Sequence, residues 1–222
     1  MSRVVLDIET LGHPFDSFDS VQQEYLLKFA STEEERADVI QKLSLHPFTA
    51  QIIAIGMLNP DTDRGKVLFQ SGNSSETFSA DGKVQYISGS EAEIVQSFWE
   101  DIPKYNQFIT FNGRGFDCPF LLLRSAILGI KPTRNLMPYR FDSSGHCDLL
   151  EQLTFYGATR KFSLDFMCKA FGIESPKSHC VTGLDLGRLF SEGRFQEIAE
   201  YCLGDLRATA ELYRRWNDYL NV

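Results

Sequence analysis

Near the C-terminus, Phe195, Ile198, Ala199, Cys202, Leu203, Leu206, Ala210 and Tyr213 recur at spacings of three and four. That period gathers them on one stripe of an α-helix and leaves the other side polar. A long one-sided helix has to bury its stripe against a second layer. The segments able to supply that layer lie earlier and read as strands. Arg3 to Leu6 starts a short buried run, Gln51 to Leu58 (QIIAIGML) is apolar throughout, and Lys66 to Gln70, Val84 to Ile87, Gln107 to Phe111 and Cys147 to Leu150 are further strands. Helical spacing marks Ser20 to Ala30, Ser90 to Ile102, Cys118 to Leu128 and Ser163 to Phe171. Strands interleaved with helices predict an α/β domain on one mixed central sheet flanked by helices.

Between His13 and Gln51 no strand signal occurs. Thr32-Glu-Glu-Glu reads as a helix start, a hydroxyl cap followed by acids that suit the positive end of the helix dipole. That helix is expected to run to about Leu43. Residues 13–50 are therefore read as a helical insertion after the first strand of a single domain, 1–222. At 222 residues such a domain can bury about 70% of its unfolded surface. Ser71 to Asp81 is rich in Ser and Gly and reads as a loop.

The five cysteines, Cys118, Cys147, Cys168, Cys180 and Cys202, are odd in number and form no CxxC pair. They are expected to be reduced thiols packed in the interior, not a zinc site or a disulfide framework. The N-terminal MSRVVLDIET has no signal-peptide pattern, and the apolar stretch from Phe120 to Ile130 is interrupted by Arg124 and too short to span a bilayer. A cytoplasmic protein with no membrane association is the expectation. The net charge is −8, yet residues 112–188 carry 10 Lys or Arg against 7 Asp or Glu. Arg114, Arg124, Arg160, Lys161 and Lys177 could there form a modest basic surface, or simply a solvated one.

Three segments carry chemistry. In Asp7-Ile8-Glu9, residues two apart on a strand share a face, so the carboxylates sit side by side and repel unless a cation lies between them. Asp61-Thr-Asp63 and Glu91-Ala-Glu93 have the same spacing, so spacing alone is a weak signal; the apolar strand before Asp7 is what sets this pair apart. Asn112-Gly-Arg-Gly-Phe116-Asp117 follows one strand and opens an apolar helix. Asp117 could be a helix cap, and the glycines allow a sharp turn or a close approach. In Tyr201-Cys-Leu-Gly-Asp205 the phenol and the carboxylate lie four apart on one helix face, and Gly204 costs that helix about 1 kcal/mol, which suggests that something comes close. A surface Tyr–Asp pair is the ordinary alternative.

In this order the segments resemble the three exonuclease motifs of the DEDD superfamily, whose members have a ribonuclease H-like fold. Leu6-Asp7-Ile8-Glu9-Thr10 resembles the first. Asn112 to Asp117 resembles the second in the form seen in family-B DNA polymerase proofreading domains. Tyr201 to Asp205 resembles the third in its tyrosine version, the DEDDy branch. The histidine branch would need His where Glu200 stands. Leu45 to Gly56 and Gly183 to Leu186 are also similar to stand-alone relatives of the polymerase-B proofreading domain.

The resemblance implies a 3′–5′ exonuclease acting on single-stranded nucleic acid, DNA ahead of RNA, and releasing nucleoside 5′-monophosphates. Asp7, Glu9, Asp117 and Asp205 would hold two divalent metal ions, Mg²⁺ or Mn²⁺, which suit oxygen-only ligands. Asp7 would bridge both ions, Glu9 and Asp205 would bind the ion holding the attacking water, and Asp117 would help place the second through water. Tyr201 would orient the nucleophile. Thr10, Leu11, Asn112 and Phe116 would contact substrate, Phe116 being equally suited to plain core packing. A proofreading role would call on a separate replication or repair partner. Three alternatives stay open: an RNA 3′-end trimmer, an endonuclease with the same acids, and a non-catalytic nucleic-acid-binding or scaffold module.

Overall fold

A computed structural model describes residues 2–174 and 183–221, without the side chain of Leu184. Lys177, His179 and Cys180 lie outside the described residues. Seven strands form one mixed sheet in the order β4-β5-β3-β2-β1-β6-β7. They are β1 Arg3–Gly12, β2 Ala50–Leu58, β3 Gly65–Gln70, β4 Glu76–Phe78, β5 Val84–Gly89, β6 Gln107–Thr110 and β7 His146–Asp148. β1, β2 and β3 form an antiparallel meander, while β6 and β7 add parallel beyond β1. This is the ribonuclease H-like α/β arrangement that the sequence implied, with β5 and β4 extending the far edge.

The sheet separates two apolar cores, and β1 shows why. Val4, Leu6 and Ile8 face one core, with α3 (Glu91–Asp101) and α4 (Asp117–Ile127). Val5 faces the other, built with α5 (Leu149–Leu153), α6 (Leu164–Ala170), α7 (Leu186–Ser191) and α8 (Phe195–Tyr219). Strand alternation then puts Asp7 and Glu9 on the α8 side, opposite Ile8. The stripe on α8 is buried as its period predicts, including Ile198, Ala199, Cys202, Leu203 and Leu206.

Two helices, α1 (Ser20–Leu26) and α2 (Glu33–Gln41), lie between β1 and β2 where the insertion was expected. Asp19 and Thr32 cap them, each with a reciprocal capping box. Val21 and Tyr25 lie on α1, which ends at Leu26 and not at Ala30, so Phe29 falls beyond it, and all three side chains are exposed. The insertion is attached to the domain through its final turn. Leu43 is buried, and Gly12 lies so close that a Cβ there would be 3.0 Å from Leu43 Cβ.

Several segments differ from the sequence reading. β1 carries Asp7 and Glu9, as read, but does not close with them: Thr10 to Gly12 continue the pairing with β2, after an irregularity between Glu9 and Thr10. Ser71 to Asp81 contains the edge strand β4, whose residues are all exposed and so carry no burial alternation to read. Arg124 is not a surface cation. It is buried, pairs with Glu91 at 2.6 Å and donates to the Pro47 carbonyl, while Glu91 accepts from the Ile52 amide. Arg114 is turned inward as well, onto the Pro138 and Tyr139 carbonyls. Arg160 and Lys161 are exposed. The four described cysteines are free and buried, as expected. No helix among the described residues is long and apolar enough to cross a membrane.

Candidate active site

The parallel strands β1, β6 and β7 end on the same side of the sheet, where open α/β sheets place their sites. β1 pairs with β6 only from Arg3 to Val5. Beyond Val5 its edge on that side has no strand partner among the described residues, and Asp117 takes up what the ladder leaves. The Ile8 amide donates to Asp117 Oδ1 at 3.0 Å. Asp117 is therefore not the cap of α4, a place held by Phe116; it is the first helical residue, with its carboxylate aimed across at β1.

The loop leading to Asp117 is held by its backbone. Asn112 takes the left-handed conformation (φ 65°), and its carbonyl accepts from the Gly115 and Phe116 amides. The two glycines are needed for space, not for φ. A Cβ at Gly113 would lie 2.4 Å from Thr110 Oγ1, and one at Gly115 would lie 2.7 Å from Asn112 Oδ1. Asp148, at the end of β7, accepts from the Asn112 amide (2.9 Å), the Arg114 amide (2.9 Å) and the Leu150 amide (3.1 Å). One buried carboxylate thus caps α5 and ties down the Asp117 loop.

α8 brings Tyr201 and Asp205 to the same place. The approach depends on Gly56, which lies opposite Asp7 in β2. A Cβ at Gly56 would be 2.4 Å from Leu206 Cδ1 and 2.8 Å from Cys202 Sγ. Cys202 Sγ in turn stands 4.0 Å from Asp7 Oδ2.

The four acids named from the sequence are coupled electrostatically. Burial raises the Asp7 carboxyl well above the usual range, and Asp117, Glu9 and Asp205 raise it further. Burial, then Asp205 and Asp117, do the same to Glu9. Asp117 is pushed up to about 7 by burial against the opposing effect of its backbone hydrogen bonds. Tyr201 is raised by burial and by Glu9, Asp205 and Asp7, so its hydroxyl keeps its proton. The charges that raise Asp7 are all carboxylates, Asp117, Glu9 and Asp205.

A divalent cation fits this set. Among the described residues Glu9 Oε1 is buried without a hydrogen-bond partner, which costs about 1–3 kcal/mol unless an ion or water meets it. One ligand atom each from Asp7, Glu9 and Cys202 lies within 4.8 Å of the others. The oxygen donors suit Mg²⁺ or Mn²⁺.

The residues expected to touch substrate are placed less uniformly. Thr10 is buried and its hydroxyl donates to the Ser44 carbonyl at 2.7 Å. Leu11 is half-buried and borders a cleft. Phe116 is half-buried and packs on Phe120, with ring centroids 5.4 Å apart. Gly204 and Tyr201 line a second cleft, with Tyr86, Phe78 and Arg207. Asp148, Cys202 and Gly56 are the site residues that sequence reasoning passed over. Asp148 ends a strand of only three residues, His-Cys-Asp, with no apolar run to set it apart, whereas Gly56 interrupts a long apolar strand, a mark of close backbone approach.

A profile of one family, described as a predicted 3′–5′ exonuclease related to the exonuclease domain of PolB, matches residues 48–220. That span includes Asp117, Tyr201 and Asp205. Among solved structures, the family B DNA polymerase from the hyperthermophilic archaeon Pyrobaculum calidifontis is similar, with a TM-score of 0.62 and 16% identity over 97% of this chain. The chain spans only 24% of that polymerase's length, and at this identity the likeness concerns the fold. No curated protein matches.

Proposed function

The chain belongs to the family of predicted 3′–5′ exonucleases related to the exonuclease domain of PolB, and we propose that it removes nucleotides from the 3′ ends of single-stranded nucleic acid, DNA ahead of RNA. Each cycle would hydrolyse one phosphodiester and release a nucleoside 5′-monophosphate. The observation that carries this reading is the convergence of Asp7, Glu9, Asp117 and Asp205, from three distant segments, into one coupled cluster that contains an unpartnered buried carboxylate oxygen.

In this proposal Asp7, Glu9, Asp117 and Asp205 hold two divalent ions, Mg²⁺ or Mn²⁺. Bound there, such ions would lower the pKa of a water and offset charge on the leaving 3′-oxygen. Asp117 contributes rigidity as well as charge, since its second role is to accept the Ile8 amide. Tyr201 keeps its proton and acts as a hydrogen-bonding group that orients the nucleophile. Asp148 holds the backbone that positions Asp117.

The test uses end-labelled DNA and RNA strands of matched sequence with Mg²⁺ or Mn²⁺. Stepwise loss from the 3′ end is expected with the unaltered protein, and none with Asp7→Ala. Equal degradation by both would remove the assignment. Cleavage of a circular single strand would make the protein an endonuclease, and faster loss from RNA would reverse the order of substrates.

A further inference from the structure

The insertion does more than decorate the domain. Beyond the acids, β1 ends at Leu11 and Gly12, and there the insertion faces α7 across a cleft of about 310 Å³. One wall is Phe15, Ile40, Gln41 and Ser44; the other is Leu11 and Gly187. Its volume falls at the lower end of small-molecule sites. Among the described residues no Lys, Arg, Asp or Glu lines it; His13 does, and burial and Arg124 lower its pKa from the ordinary value. Leu11, Phe15 and Ile40 offer apolar surface to a flat ring, and the Gln41 amide offers a donor and an acceptor to a polar edge.

The Ser44 end of the wall is fixed in place. Thr10 donates to the Ser44 carbonyl, His13 donates its amide to the Thr49 carbonyl, and Gly12 packs on Leu43 and Ser44 without room for a side chain. Leu11 lies two residues beyond Glu9, about 7 Å along the strand. A strand held at the acids could therefore extend one of its bases into the cleft.

Resting on the exonuclease reading, we infer that the insertion is a specificity element whose Phe15–Ile40 wall receives an unpaired nucleobase near the 3′ end. A base engaged in a duplex has its edge occupied and cannot enter, so the cleft favours single strands. The family match begins at residue 48, after this wall.

The test measures binding of a fluorescent single-stranded oligonucleotide by anisotropy in an Asp7→Ala background, where no cleavage intrudes. Phe15→Ala and Ile40→Ala are each expected to weaken binding about tenfold, the order of one lost base contact. Phe29→Ser, on the exposed outside of the insertion, should bind as its parent does. An abasic residue scanned through the last three positions should weaken binding similarly at one of them and add nothing to Phe15→Ala. With Asp7 restored, the loss should appear in KM and leave kcat within about twofold. Binding within twofold for both Phe15→Ala and Ile40→Ala overturns the inference. A protein that binds as described but never cleaves would instead refute the exonuclease reading and leave the cleft assignment standing.

Discussion

Replacing Gly56 by alanine adds one methyl group at the point where α8 crosses β2. The added carbon would sit 2.4 Å from Leu206 Cδ1 and 2.8 Å from Cys202 Sγ. Carbon atoms in good contact lie about 3.5–4.0 Å apart, so something must move by roughly 1 Å. Leu206 and Cys202 are both fully buried and have no solvent to swing into. The helix itself should lift, at a cost of about 1–3 kcal/mol for overpacking. In a domain of this size each kcal/mol lowers Tm by about 2–4 °C. The same helix carries Tyr201 and Asp205, so a shift near 1 Å should also cut the nuclease rate, on the order of 10²-fold. Thermal melting and 3′-end trimming well below Tm read the two effects separately. Gly72→Ala is the control, because nothing lies within 4 Å of its added carbon. A Gly56→Ala protein with unchanged Tm and rate would show that this contact does not set the position of α8. A lower Tm with an unchanged rate would show that Asp205 is placed by something else.

Further expectations concern the acids and their supports. Asp7→Asn removes a carboxylate crowded by three others; the metal-free protein should gain about 1 kcal/mol, some 2–4 °C in Tm, while stabilisation by Mn²⁺ is lost. Folded-state carboxyls raised above their ordinary range favour the folded state at low pH and cease to do so as pH rises through the folded value. For Asp117 that interval runs from its ordinary 3.8 to about 7, so the metal-free protein should lose stability across it. Added Mn²⁺ should raise Tm more at pH 8 than at pH 5, and an equal effect at both would contradict the assignment of these acids as ligands. Tyr201→Phe should leave Tm and metal binding alone and slow turnover about tenfold, the worth of one hydrogen bond; a rate equal to wild type ends its proposed role. Asp148→Asn turns an acceptor of three backbone amides into a group that can satisfy fewer of them. It should cost about 2 kcal/mol in a denaturant titration and lower the nuclease rate through the Asp117 loop.

Local pattern made the order of elements legible, and long-range contact accounts for most of what the sequence hid. The stripe on α8, the capping boxes at Thr32 and Ser90 and the buried run of β2 all depend on neighbours within a few residues. β1 outruns the Asp7–Glu9 pair that the sequence reading placed at its end, because its pairing continues through Thr10 and Leu11 to Gly12 without an apolar run to mark it. Val21, Tyr25 and Phe29 have helical spacing without burial, since spacing reports a local period and says nothing of what packs against it. Arg124 looked like surface because its partner, Glu91, is 33 positions away. The acids were legible as a set through their resemblance to known motifs. Their supports were less so: Gly56 is marked as a glycine inside a strand, but what it and Asp148 hold, a helix and a loop, is distant in sequence.

That division bears on how the site is held together. Four carboxylates that raise one another's pKa cannot be what draws the three segments into one place. The attraction comes from groups that are not acidic, or from acids in other roles. β1 outruns its parallel pairing with β6 at Val5, and the Ile8 amide then reaches Asp117 Oδ1. Asp148 gathers the Asn112 and Arg114 amides, and Gly56 lets α8 settle on β2. Asp117 serves on both sides, with one carboxylate to hold the backbone and to face the other acids. Replacing Asp7 or Glu9 should therefore leave the architecture intact and remove only repulsion, whereas replacing Asp117 should cost stability as well. Comparing the metal-free Tm of Asp7→Asn with that of Asp117→Asn tests the distinction: the first should rise and the second fall.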